Sequence, residues 1–405
     1  MHVSAHLDVD LVAVQQTDLL TLMLELEAPV PAEGATRPDA TVVVVLDRSG
    51  SMGDGRLEAA KTALAALVDR LAPQDRLGLV VFDDAVDVVL PAGPVTDKRT
   101  LKRQIANVTT GGMTNLSGGL LRGIQEARRV AGASGATVVL LSDGHANHGV
   151  TDPAKLGAAA QRAGVTVSSV GLGLGYDEDL LGAIARGGRG DHVFAEDVDA
   201  AGPALAAQVD GLLSKAVQAA SLLIRPVGAV EGVELYNDLP GQAVEGGVMV
   251  ELGDLWAGEQ RTLLLGLHVP AMPGLGLAEV ASLELRYVAL PSMVEETVTL
   301  PVFVNVVPGD EAAGRIANPK VRQELLFQQA QKQKRVAMDD LARGDAAGAA
   351  TTLRDAAADL SDAHIDERHL LLSMAVEAEQ HDAGRARKHL AADQARKSRR
   401  RGREE

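Results

Sequence analysis

The chain has 405 residues, no cysteine and a formal net charge of −16; 46% of its residues are apolar and only 2% aromatic. Disulfides and thiolate metal sites are excluded, the length argues for two or three domains, and the cores must be built from Ala, Val, Leu and Ile. Residues 384–405 hold nine Lys/Arg against three Asp/Glu, a balance of +6 that leaves −22 for the remainder, and so acidic a body argues against a nucleic-acid partner.

The opening "MHVSAHLDVDLVAVQQ" lacks the basic and apolar regions of a signal peptide. No apolar run approaches the roughly 20 residues that span a bilayer. A cytoplasmic protein without a membrane span is the expectation. Two stretches of period-two alternation, "HVSAHLDVDLVAV" and "DLLTLMLELEAPV", predict half-buried antiparallel strands. A Pro- and Gly-containing linker over 29–38 follows.

From residue 40 to about 213 the pattern changes. Strands are predicted at 41–46, 77–82, 86–90, 136–141, 165–171 and 192–195, and helices at 56–72, 97–107, 117–131, 153–163, 178–186 and 199–213. Such alternation predicts a mostly parallel sheet covered on both faces. The break in "VVFDDAVDVVL" is short enough for a hairpin that adds one antiparallel edge strand. From about 216 to 307 strand signals recur without helices between them, as in a β-sandwich. Two N-terminal strands cannot make a domain alone, so residues 1–37 are expected to pair with 216–307. The α/β unit, 38–215, is then an insertion into the sandwich.

Leu326, Ala330, Ala337 and Leu341 lie on one helix face. With Gly344-Asp345 as a turn, residues 308–383 are predicted to form a helical hairpin, similar to a single tetratricopeptide-type unit. The basic segment 384–405 is read as a solvated, disordered tail. The expected fold is α/β: a Rossmann-like, doubly wound sheet inserted into an antiparallel β-sandwich, with a helical segment behind it.

Ligands of such sheets bind beyond the carboxyl ends of the strands. Three loops are predicted to meet there: "DRSGSM" with Asp47, Ser49 and Ser51, "TTGGMTNL" with Thr114, and "LSDGHAN" with Asp143. Two carboxylates and three hydroxyls are hard oxygen donors, unlike the His and Cys sets that suit zinc. Mg²⁺ prefers oxygens and gives up its waters reluctantly. A hydroxyl-rich set leaves the ion residual positive charge with which to attract an outside carboxylate.

These three motifs, in this order and at these strand ends, resemble the metal-ion-dependent adhesion site of von Willebrand factor A domains, over about residues 40–214. The resemblance implies that Ser49 and Ser51 bind the ion directly, that Thr114 can join them, and that Asp47 and Asp143 hold it directly or through water. A partner's Asp or Glu completes the shell. It implies Mg²⁺, with Mn²⁺ or Ca²⁺ as substitutes, and an AAA-type ATPase as one candidate partner. The wider layout is similar to that of inter-alpha-trypsin-inhibitor heavy chains and their bacterial relatives.

Other signals are set aside. Asp54 is expected to N-cap the helix beginning near 56, and the acids of "FDDAVD" to serve a hairpin turn. Trp256 is read as packed rather than ligand-binding. Arg189-Gly190-Asp191 is read as part of a turn before a strand. "GLGLGYDED" has Tyr176 where a dinucleotide motif needs glycine, and no GxxxxGK[ST] loop occurs. His364 and His369 are read as solvent-facing. The expected function is a Mg²⁺-dependent adaptor or scaffold that docks an acidic side chain, and not an enzyme. The alternatives are an oligomeric scaffold whose metal site is inessential, or a Mg²⁺-dependent phosphohydrolase using Asp47, for which Ser49 stands where a second Asp is wanted.

Overall fold

The computed structural model describes residues 1–31, 37–132, 135–227, 230, 232–380 and 383–397. The chain opens with strands β1 (His2–Leu7), β2 (Leu11–Ala13) and β3 (Asp18–Glu27). It then enters the α/β unit: β4 (Thr41–Asp47), α1 (Arg56–Arg70), β5 (Arg76–Phe82), β6 (Val86–Pro94), α2 (Lys98–Ala106), α3 (Leu116–Val130), β7 (Thr137–Ser142), α4 (Pro153–Gln161), β8 (Thr166–Leu172), α5 (Glu178–Gly187), β9 (Arg189–Ala195) and α6 (Val198–Leu213).

The sheet runs β6-β5-β4-β7-β8-β9. Every neighbouring pair is parallel except β5–β6, the predicted hairpin. Central strand β4 is buried throughout because successive side chains enter different cores. Val42, Val44 and Leu46 pack with Leu57, Leu64 and Leu67 of α1. Val43 and Val45 pack with Leu116, Leu120 and Ile124 of α3. Glycine lets α3 lie close to the sheet: a Cβ at Gly123 would stand 2.2 Å from Val45 Cγ2.

Beyond the α/β unit come β10 (Lys215–Pro226), β11 (Gly232–Leu235), β12 (Gly241–Val244), β13 (Gly247–Trp256), β14 (Gln260–Val269), β15 (Gly276–Ala289) and β16 (Val294–Val307). They form two sheets with the N-terminal strands, ordered β1-β3-β14-β11 and β12-β13-β10-β15-β16-β2. Leu20, Leu22, Leu24 and Leu26 of β3 face a core shared with Leu263, Leu265, Ile224 and Leu283. On the other face of that sheet, Met23 and Leu264 pack against Val321 of the following helix. The N-terminal strands thus pair with the later segment, as expected, and β2 crosses to the second sheet, where it lies parallel to β16.

Both connections into the α/β unit lie at one place, since residues 38–42 and Leu212, Leu213 and Lys215 line a single cleft. The seven residues of β4 therefore carry Asp47 about 20 Å from that junction. Polar contacts hold the unit on the sandwich: Arg189 pairs with Glu251 at 2.8 Å, and Thr166 Oγ1 donates at 3.1 Å to Asp254, itself paired with Lys215 of the neighbouring strand. The Arg-Gly-Asp triplet opens strand β9 instead of forming a turn before it, and its Arg189 is engaged within the chain by Glu251. Trp256 packs against the last helix of the α/β unit, and a Cβ at Gly211 would lie 2.2 Å from its ring.

The C-terminal part holds α7 (Gly309–Ala313), α8 (Pro319–Ala342), α9 (Ala346–Asp359), α10 (Ile365–Glu379) and α11 (Ala383–Lys397). Gly344, at φ +81°, makes the predicted turn, and Asp345 caps α9 by accepting from Gly348 N at 2.8 Å. His369 is exposed, as expected, while His364 is half-buried, its ring centroid 5.1 Å from that of Phe327. Where the sequence suggests a hairpin and then a solvated tail, residues 383–397 are helical and docked. The acidic remainder of the molecule supplies the reason. Lys388 Nζ donates to Glu178 Oε2 at 2.6 Å and to the Tyr176 carbonyl at 2.7 Å. Arg387 engages Glu178 and Asp179, and Arg385 engages Glu196. Lys334, wholly buried in α8, is held between Glu367 of α10 and Asp393 of α11. The remaining tail residues, 398–405, lie outside the described residues.

Candidate metal centre

The three predicted loops meet at the carboxyl ends of β4 and β7. Asp47 ends β4 with no solvent exposure, and Ser49 and Asp143 are each 2% exposed. Ser51 lies in a 3₁₀ turn, Gly50–Met52, and is exposed. Buried Met52 anchors that turn from beneath. The cluster therefore runs from a buried floor at Asp47 to an open mouth at Ser51.

Hydrogen bonds join its members. Asp47 Oδ1 accepts from the Ser49 amide at 2.8 Å and Oδ2 from Ser142 Oγ at 2.6 Å. Ser49 Oγ and Ser51 Oγ are 3.1 Å apart, and Ser51 Oγ donates to Asp143 Oδ1 at 2.7 Å. Thr114 is buried and joins through its main chain: its amide donates to Asn147 Oδ1 at 2.8 Å, and its carbonyl accepts from the Asn147 amide at 3.2 Å. Asp47, Ser49, Ser51 and Asp143 thus form one continuous set, with Thr114 on the adjoining loop.

Further residues, outside the three motif positions, hold the loops. Arg48 donates to Asp83 through Nε at 3.1 Å, and Gly111 N donates to the Arg48 carbonyl at 2.7 Å. A Cβ at Gly111 would fall 1.7 Å from Asp83 Oδ2, so glycine is needed where the second loop crosses the hairpin acid. Asp83 also accepts from Ala85 N at 2.8 Å, which is the expected turn role. Arg56 Nη1 donates to Asp143 Oδ2 at 2.9 Å and to the Ser51 carbonyl at 2.8 Å. Ser142 and Asn147 lie inside the motif stretches and could have been suspected. Arg48, Asp83 and Arg56 carry no sequence signal for this role.

Asp54 departs from expectation. Gly55, at φ +89°, is the N-cap of α1, and no side chain caps that helix. The chain turns from the 3₁₀ turn into α1 through left-handed backbone, with Asp54 itself at φ +51°. That conformation suits glycine and is not the extended one from which a capping side chain reaches back.

The electrostatics suit a cation. Burial pushes the Asp47 carboxyl up to about 6, bonds from Ser142 and Ser49 oppose that rise, and nearby Asp143 adds to it. Arg56 pairs with Asp143, whereas Asp47 accepts from the neutral Ser49 amide and Ser142 hydroxyl in a largely dry floor, where a divalent ion would supply compensating charge. The donor set is all oxygen, as Mg²⁺, Mn²⁺ or Ca²⁺ requires. The residues present therefore fit the ion. Elsewhere, "GLGLGYDED" forms the end of β8 and the loop into α5. Tyr176 is buried there, with its hydroxyl 3.2 Å from His192 Nε2, and leaves no phosphate cradle.

Among the described residues no helix is long and apolar enough to cross a membrane. An uncharacterised protein of Synechocystis is 30% identical over 78% of this chain and 77% of its own length. Inter-alpha-trypsin inhibitor heavy chain H3 of Mesocricetus auratus is 33% identical over 28% of this chain, but the match spans only 14% of that protein. The fold is similar to that of a von Willebrand factor type A protein from Catenulispora acidiphila, with a TM-score of 0.77 at 17% identity, covering 97% of this chain and 96% of that one. Residues 41–205 match the von Willebrand factor type A domain, a unit that typically serves as a metal-dependent protein-interaction module. With its sheet order, its three converging loops and these relatives, the chain belongs to the von Willebrand factor type A domain family.

Proposed function

We propose that this protein is a Mg²⁺-dependent adaptor that docks an Asp or Glu side chain of a partner protein at the Asp47–Ser49–Ser51–Thr114–Asp143 cluster. The observation that carries this reading is the unbroken hydrogen-bonded set from Asp47 to Asp143, closed at its floor and open at Ser51. Ser49 and Ser51 would offer their hydroxyls to the ion, Thr114 would add a third from the second loop, and Asp47 and Asp143 would hold the ion directly or through water. Ser142 keeps Asp47 oriented. When bound, the ion supplies a Lewis-acidic position for an incoming carboxylate.

Met113, Val150 and Leu174, on loops at this end of the sheet, are each more than two-fifths exposed. Apolar side chains of this size beside an acid-binding site favour a macromolecular partner over a small anion. Cytoplasmic location and an AAA-type ATPase partner belong to the same proposal; the ATPase rests on the family resemblance alone. Catalysis by Asp47 is disfavoured, because both of its oxygens accept hydrogen bonds and neither reaches solvent.

Calorimetric titration of EDTA-stripped protein with Mg²⁺ and Mn²⁺ tests the reading. Single-site binding is expected in the wild type and is expected to be lost in the Ser49→Ala/Ser51→Ala variant, with the far-ultraviolet circular dichroism spectrum retained. Equal uptake of metal by that variant refutes the assignment.

A further inference from the structure

Arg56 is an anomaly by local physics. It is the first residue of α1, where the helix macrodipole is positive and disfavours a cation. Its side chain turns back from the helix over the mouth of the cluster, where Nη1 bridges Asp143 Oδ2 and the Ser51 carbonyl. Among the described residues, Nη1 is the only guanidinium nitrogen of Arg56 that hydrogen-bonds to protein. Nε and Nη2 keep their donors, and the side chain is 37% exposed. It also borders a cleft of ≈310 Å³ with Leu174 and Gly173. Three acids line that cleft: Glu196 is engaged by Arg385 and His389, Asp197 accepts from Ala200 N as a cap, and Asp54 stands on the left-handed turn two residues before Arg56.

Asp143 is therefore shared. Oδ1 belongs to the hydroxyl set through Ser51, and Oδ2 belongs to Arg56. Counting formal charges, Asp47 and Asp143 balance a divalent ion and leave a neutral centre. Arg56 raises that centre to +1, which a single carboxylate returns to zero. A guanidinium with spare donors also matches the two oxygens of a carboxylate, as an ammonium does not.

We propose that Arg56 is the specificity-determining residue of this site: it weakens the hold on the ion in return for selecting a carboxylate as the outside ligand. The inference rests on the metal-site reading above and makes a separable demand, that removal of Arg56 moves metal affinity and carboxylate affinity in opposite directions. A residue that merely braced Asp143 would lower both.

The test uses full-length protein, Mn²⁺ as the metal and acetate as the carboxylate. Calorimetry reads Mn²⁺ affinity, and water-proton relaxation reads displacement of Mn²⁺-bound water by acetate. For a unit charge several ångströms from a divalent ion in partly solvated surroundings, Arg56→Gln is expected to bind Mn²⁺ about tenfold more tightly. The same variant is expected to bind acetate at least about threefold more weakly. Arg56→Lys keeps the charge and loses the fork, so its Mn²⁺ affinity should stay within about twofold of wild type while acetate still weakens. Unchanged or weaker Mn²⁺ binding by Arg56→Gln, with the wild type binding normally, overturns this inference and leaves the metal site standing. No Mn²⁺ uptake by the wild type removes both.

Discussion

Replacing Asp47 by Asn should stabilise the ion-free protein while abolishing its response to metal. Burial, with Asp143 adding to it, lifts the Asp47 carboxyl from 3.8 to about 6 in the folded chain. That displacement corresponds to about 3 kcal/mol of penalty on the charged form. The folded state binds this proton more tightly than the unfolded chain does. The group's contribution is therefore most favourable below about pH 4, declines as pH rises from 4 to 6, and is fully lost above that window. The amide of the Asp47→Asn variant carries no charge, can accept from the Ser49 amide, and can donate to Ser142 Oγ, whose hydroxyl can turn toward the Gly144 carbonyl 3.4 Å away. Allowing about 1 kcal/mol for that rearranged hydrogen bond, a net gain of about 2 kcal/mol is expected at pH 8 in EDTA. At about 2–4 °C per kcal/mol for a domain of this size, thermal unfolding should move upward by several degrees. The gain should vanish near pH 4. Saturating Mg²⁺ at about 100 times Kd should stabilise the wild type by about 2.7 kcal/mol and leave the variant unmoved. A variant less stable than wild type in EDTA at pH 8 would refute the reading of Asp47 as a buried, uncompensated charge.

Three further outcomes are expected. Lys388→Met removes a buried ammonium that holds Glu178 and lies 4.5 Å from the Tyr176 ring centre; with Arg387 still facing Glu178, a loss of about 3 kcal/mol should appear as faster amide exchange in α11 with β4 unchanged. His192 is held neutral, its basicity lowered to about 4 by burial and then by the Lys388 and Arg186 cations. Its contribution is whole above about pH 6.5 and should fall by roughly 3 kcal/mol as pH drops to 4; because Asp47 acts in the opposite sense over part of that range, the measurement is the difference in urea midpoints between wild type and His192→Gln. Gly123→Ala places a Cβ 2.2 Å from Val45 Cγ2, and the overpacking should cost about 1–3 kcal/mol, read as a lower urea midpoint of the α/β unit.

Much of the architecture is local in origin and so was legible in the chain. Seven buried residues in β4 and the Ala- and Leu-rich helices around it announce a parallel sheet, because strands covered on both faces lose polar alternation. The DRSGSM, GGMTNL and LSDGHAN stretches announce where oxygen donors gather, because a strand end and its turn are set within a few residues. Two segments depart from local expectation for different reasons. Asp54 failed as a cap because the path from the 3₁₀ turn required left-handed backbone. Residues 383–397 looked like a solvated tail because a basic, weakly amphipathic stretch has no local reason to dock.

What tertiary structure alone decided are the pairings between distant residues. Ser142 reaches Asp47 across 95 positions, Arg56 reaches Asp143 across 87, and Lys388 reaches Glu178 across 210. The sequence by itself determined the sheet, the strand-end loops and the chemistry of their oxygens, since periodicity and turn formation depend on near neighbours. Which charge neutralises which acid was decided only by the fold, because electrostatic complementarity depends on distance in space, and the chain order of these residues does not encode that distance.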